Sequence, residues 1–137
     1  MSLSPESSGS ISPSSDMSSS ALKMYFFVNT SLKMRDGKVA SQVAHLTEKM
    51  ITEIIINGYE VSPPSNLYMT YQQYLRESRI KIVLRPISEQ FERLLSHPDA
   101  RPFRDTGEST QGTSGHITVI GFFPGAIIDD IKSYKLY

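Results

Sequence analysis

The 137-residue chain contains no cysteine. Disulfides and thiolate metal centres are therefore excluded, and a reducing compartment is permitted. No apolar run reaches the length of a membrane span. Charge of one sign is also missing, since 14 Lys+Arg balance 14 Asp+Glu. That does not indicate a globally basic nucleic-acid binder, although a local basic patch remains compatible with neutrality. The three histidines, His45, His97 and His116, lack metal-ligand spacing. The length suits one domain with a modest core.

Residues 1–20 hold eleven serines, two prolines and no aromatic or basic residue. Such a segment cannot bury enough apolar surface to offset its ordering entropy, so 1–21 is expected to be a disordered serine-rich tail. It has neither the basic start and apolar block of a secretory signal nor the arginines of a mitochondrial presequence. Residues 22–137 are expected to form the folded domain.

The run Met24 to Val28 is continuously apolar and reads as a strand covered on both faces. A loop over Asn29 to Gly37 follows. From Lys38 the pattern turns helical, with Val39, Val43, Leu46 and Met50 on one stripe. That helix is expected to reach about Ile56 and to stop at Asn57-Gly58. Pro63-Pro64 breaks the chain. A second helix is expected over Leu67 to Arg76 and a second strand over Ile80 to Leu84. Ser88 is placed as the N-cap of a helix ending near His97, before Pro98. Ala100 to Asp105 reads as a short edge strand carrying Pro102, and Glu108 to Gly115 as a loop. Ile117 to Phe122 reads as a strand, and Ile127 to Ile131 as a short helix after the Pro124-Gly125 turn. These elements predict a single-domain α/β fold, a mixed, mostly parallel four-stranded sheet with helices on both faces.

The stretch Leu32 to Met50 carries the chemistry. Lys38, Gln42, His45 and Lys49 form a polar stripe beside the apolar one. Their helix follows a strand and a loop, so its N-terminus sits at an end of the sheet, where ligands gather in open α/β folds. Free N–H groups, the helix dipole, Gly37 and the Lys38 charge together suit an anion or oxyanion. A histidine beside an apolar stripe also commonly packs into the core, and a loop-to-helix Gly-Lys pair is common in itself. Asp105, in an Asp-Thr-Gly turn, is ordinarily a turn residue. No second copy exists to make an aspartic protease.

The coincidence of two distant blocks is more specific. Lys23-Met24, Leu32-Lys33-Met34, Gly37-Lys38-Val39-Ala40, Gln42 and Ala44-His45, with the closing stretch from Thr118 to Tyr137, resemble the archaeal and eukaryotic type of peptidyl-tRNA hydrolase. Asp105, Gly107, Thr110, Gln111 and Gly115 match that family's turn before its last long strand. The resemblance implies hydrolysis of the ester between peptide and tRNA in the cytoplasm, with peptidyl-tRNA as partner. It implies a homodimer, no metal or organic cofactor, and no DNA or membrane partner. It casts Lys38, Asp105 and Thr110 as catalytic, and Lys33, Arg35, Gly37, Gln42, His45, Gln111 and Gly115 as substrate-binding. Departures include Arg35-Asp36 where the family usually has glycine-lysine, and an extra residue between Gly107 and Thr110. They motivate the alternative of a homologue that binds RNA or protein without turnover.

Overall fold

In the computed structural model, which describes residues 21–58, 65–107 and 112–137, the aromatic run near the start forms β1 (Lys23–Val28). Its side chains alternate across the sheet as strand geometry requires. Met24 and Phe26 point to one core and Phe27 to the other. Four more strands complete the sheet: β2 (Ile80–Arg85), β3 (Arg101–Arg104), β4 (Ile117–Phe122) and β5 (Lys135–Leu136), in the order β3-β4-β1-β2-β5.

Helices cover both faces. On one, α1 (Asp36–Glu53) and α2 (Asn66–Glu77) bring Leu46, Met50, Tyr71 and Tyr74 onto Met24 and Phe26. On the other, α3 (Ser88–Leu95) packs Phe91 and Leu94 against Phe27, Ile120 and Phe122. Among the described residues, no helix is long and apolar enough to cross a membrane.

The α/β class, the mixed sheet and its two-sided cover match expectation, but the sheet has five strands rather than four. Only β1 and β2 run parallel; the β1–β4, β2–β5 and β3–β4 pairs are antiparallel. The parallel pair is the one joined by a long helical crossover, as parallel strands require, whereas β3 and β4 are joined by the short stretch 105–116. Lys135–Leu136 adds the unexpected fifth strand by pairing with Leu84 and Arg85.

Three local expectations are corrected. α1 starts at Asp36, two residues before Lys38, and closes through a π turn over Ile54–Gly58. Ser88 is the first residue inside α3 and not its cap; Gln90 reaches back, its Oε1 accepting from Ile87 N at 2.9 Å. No helix spans Ile127 to Ile131. Asp130 takes a left-handed φ of 55°, which breaks α-helical geometry, and only a 3-10 turn over Ile131–Ser133 forms. The serine-rich segment 1–20, Pro63-Pro64, Thr110 and Gln111 lie outside the described residues.

Candidate functional site

The strand directions bring the ends of β1, β2 and β3 and the starts of β4 and β5 to one edge of the sheet. Asn29, just after β1, ties that edge together. Its amide N–H donates to Thr118 O and its Nδ2 to Ile117 O, both at 2.9 Å. The 3-10 turn over Thr30–Leu32 then lifts the chain to the start of α1. Lys38 stands in the first turn of that helix and leans over the sheet edge toward Asp105, which follows β3.

Lys38 Nζ lies 2.9 Å from Asp105 Oδ2, and both side chains are largely buried, 17% and 8% exposed. The Thr113 hydroxyl donates to the same Oδ2 at 2.6 Å, and Gly107 N–H donates to Oδ1 at 3.2 Å. Asp105 is also held through its backbone, with its N–H donating to His116 O and its carbonyl accepting from Gly115 N–H. Gly115 supplies a turn at φ 84°, and its own carbonyl accepts from Arg104 Nη1 at 2.5 Å. A carboxylate with so many donors is stabilised in its charged form. Its pKa is therefore lowered, first by the Thr113 bond and next by Lys38, against a smaller opposing effect of burial.

That direction gives a test with a fixed sign. A carboxyl group whose folded pKa is depressed contributes stability that is fully present above its unfolded value and lost as pH falls through the folded one. The melting-temperature gap between the wild type and Asp105→Asn should be widest at neutral pH. It should begin to close only below the ordinary carboxylate range. A gap that closes between pH 7 and 5 would mean that the pKa is raised instead.

A second polar layer lies beneath. β4 carries a bulge at Thr118, because Arg104 faces Ile117 while Phe103 faces Val119. Bulges re-aim side chains, and here Thr118 turns toward α1, its hydroxyl donating to Gln42 Oε1 at 2.5 Å. Both residues are buried, at 0% and 2% exposure. Gln42 is thus part of the buried stripe with Val39, Leu46 and Met50 rather than of an exposed polar one. It fixes α1 over the sheet edge. His45 is neither a core residue nor a ligand of this pair. It is exposed, and its ring stacks on Phe103 at 6.0 Å between centroids.

The remaining expected residues are spread around the rim. Gly37 is exposed in the first turn of α1, and a Cβ there would meet no atom within 4 Å. Lys33 is exposed with a left-handed φ of 53°, and Arg35 is exposed at the helix cap. Asp36, the departure in charge, has its Oδ1 engaged by the Tyr137 hydroxyl at 2.8 Å. Thr113 was not singled out from sequence. Its only signal is that it is the third threonine after Asp105, three residues past Thr110. Among the described residues, no three His, Asp or Glu side chains converge as metal ligands do.

A buried lysine–carboxylate pair backed by a hydroxyl and opening on a sheet edge can hold positive charge where an oxyanion forms. A family model described as peptidyl-tRNA hydrolase PTH2 matches residues 22–135. A peptidyl-tRNA hydrolase of Sulfolobus acidocaldarius is 32% identical over 118 residues, which cover 80% of this chain and 94% of that protein.

Proposed function

The chain belongs to the PTH2 family of peptidyl-tRNA hydrolases, and from that premise we propose that it cleaves the ester joining a peptide to the 3′ end of tRNA. Water adds to the ester carbonyl, the tRNA hydroxyl leaves, and the tRNA returns to translation. The observation that carries this reading is the 2.9 Å Lys38–Asp105 pair at the sheet edge. Lys38 faces the developing oxyanion. Asp105, with its lowered pKa, is a weak base at neutral pH. Its part is to hold Lys38 and to orient water, because an efficient general base has a pKa near the working pH. Thr113 fixes the carboxylate, and Thr110 and Gln111, just before it in sequence, are the further residues of this stretch that the family likeness assigns to the site. Lys33 and Arg35 meet the tRNA backbone, and Gly37 leaves room for the substrate beside the helix mouth. The test is release of peptide from N-acetyl-aminoacyl-tRNA by the purified protein. Tight tRNA binding without release would move the reading to the non-catalytic alternative.

As an enzyme of translation it acts in the cytoplasm, and it acts as a homodimer. The surface that suits a second copy is an open groove of about 880 Å³ between α1 and β2. Its walls are mostly apolar, with Ala40, Val43, Ala44, Ile51 and Val83, and its rim carries both Glu48 and Lys81. A twofold interface needs one patch that complements itself, and opposite charges on one rim provide that. Ala44 is exposed there. Ala44→Arg is expected to convert a dimer to a monomer in sedimentation equilibrium without lowering the melting temperature. A wild type that sediments as a monomer overturns the assignment.

A further inference from the structure

The sheet edge that carries Asp105 continues past β1 to a second basic feature. Arg85 ends β2 and Lys135 begins β5, and the two face each other in the antiparallel register. Side chains at opposed positions share one face of the sheet, and like charges there repel. Among the described residues neither is in an ion pair. Arg85 Nε donates to Leu136 O at 3.0 Å, which steadies the guanidinium without neutralising it. Both side chains line a notch of about 330 Å³ with Thr30, Gln90 and Ser133. An adjoining pocket of about 180 Å³ shares Thr30 and Arg85 and adds Lys33. The side chains lining the two hollows bring three cations and no carboxylate.

Both side chains are exposed, so solvent screens much of their repulsion, yet the fold gathers them side by side with no ion-pair partner among the described residues. The pair is accounted for if an anion completes it. We infer that the Arg85–Lys135 notch is a phosphodiester-binding site that grips the RNA strand of the substrate away from the scissile ester. The inference rests on the reading of the chain as a peptidyl-tRNA hydrolase. Arg85 lies three strand positions from Asp105 in the order β3-β4-β1-β2. At ~4.8 Å per strand that is roughly 14 Å, a separation that a few nucleotides span. Lys33 lies on the loop after β1, between the two. The pair therefore reads the backbone of the acceptor end while Lys38 and Asp105 act on the ester.

The experiment compares wild type, Lys135→Gln, Arg85→Gln and Arg85→Lys on two substrates, N-acetyl-aminoacyl-tRNA and the N-acetyl-aminoacyl ester of adenosine. The adenosine ester has the scissile bond but no RNA strand. Lys135→Gln is expected to raise KM for the full tRNA several-fold and leave kcat unchanged. The salt slope of tRNA binding should fall by about one unit per lost contact. The loss should be confined to full-length tRNA, and Arg85→Lys should retain most of what Arg85→Gln loses. Removal of one repelling charge should leave the melting temperature of Lys135→Gln unchanged or raised. An unchanged KM and salt slope for tRNA overturns the inference. Equal losses on both substrates, or a melting temperature that falls with activity, make the pair structural and overturn it as well. Failure of the wild type to release peptide from either substrate counts against the hydrolase reading alone. The salt dependence of uncharged-tRNA binding then still decides the fate of the notch.

Discussion

Lys38→Ala and Asp105→Asn are each expected to lower turnover of peptidyl-tRNA by roughly 100-fold or more, the scale of losing one preorganised electrostatic group. The two side chains come from opposite ends of the domain, yet they meet at 2.9 Å. Without Asp105, Lys38 loses its anchor and its charge no longer sits at a fixed point. Without Lys38, Asp105 keeps its Thr113 and Gly107 donors but leaves a negative charge with no cation beside it. In the role proposed for them the residues act as a unit, so the double variant should be little worse than the worse single variant. The tRNA affinity of Asp105→Asn should change much less than its turnover, because removing a negative charge does not weaken attraction to phosphate. Steady-state and single-turnover rates on the same substrate decide this. Additive losses, each independent of the other residue, would separate the two side chains and sink the paired role.

The helical and strand blocks were legible because their signals are local. The apolar repeat of α1 and the aromatic run of β1 each need one packed surface, and both formed where periodicity placed them. What lay beyond reach depended on distant partners. Lys135–Leu136 is too short to announce itself and becomes a strand only because Leu84 and Arg85 offer an open edge. The stretch after Pro124-Gly125 has helix-compatible residues, but Ala126, Ile128 and Ile131 are drawn instead onto the Phe27 and Phe122 core. Tertiary packing overrides local propensity there.

The site divides the same way. Lys38 and Asp105 are polar groups placed by recognisable motifs, and their meeting was foreseeable once both were assigned to one sheet edge. Gln42 is ambiguous in sequence because its spacing fits two stripes at once, and the fold buries it with Val39, Leu46 and Met50. Its neighbour across the interface, Thr118, is turned inward by a bulge that no single-strand pattern encodes. Thr113 follows Thr110 by three residues in a stretch whose length departs from the family's, and nothing in the sequence signals that its hydroxyl reaches Asp105 at 2.6 Å.

Gly121→Ala is expected to be the most damaging single-methyl change in the domain. In sequence this glycine looks like a weak point in a good strand. In the fold it lies where α1 crosses β4. A Cβ built there would sit 2.9 Å from both Leu46 Cδ2 and Met50 Sδ and 3.2 Å from Phe26 Cε1. Those three side chains are at most 1% exposed, so they have no solvent to move into. Relief requires α1 to lift or its core rotamers to shift, an overpacking cost of about 1–3 kcal/mol. That corresponds to a fall in melting temperature of roughly 3–6 °C per kcal/mol for a domain of this size. Lifting α1 also stretches the Gln42–Thr118 bond and moves Lys38, so turnover should drop in the fraction that remains folded. Gly37→Ala is the matched control. Its added methyl meets nothing within 4 Å, and alanine suits a helix better than glycine by roughly 0.5–1 kcal/mol. It should melt at or slightly above the wild-type temperature, and any loss of turnover in it reports crowding of the substrate at the helix mouth. If Gly121→Ala melts within a degree of Gly37→Ala, α1 does not approach β4 closely enough to hold Lys38 over Asp105.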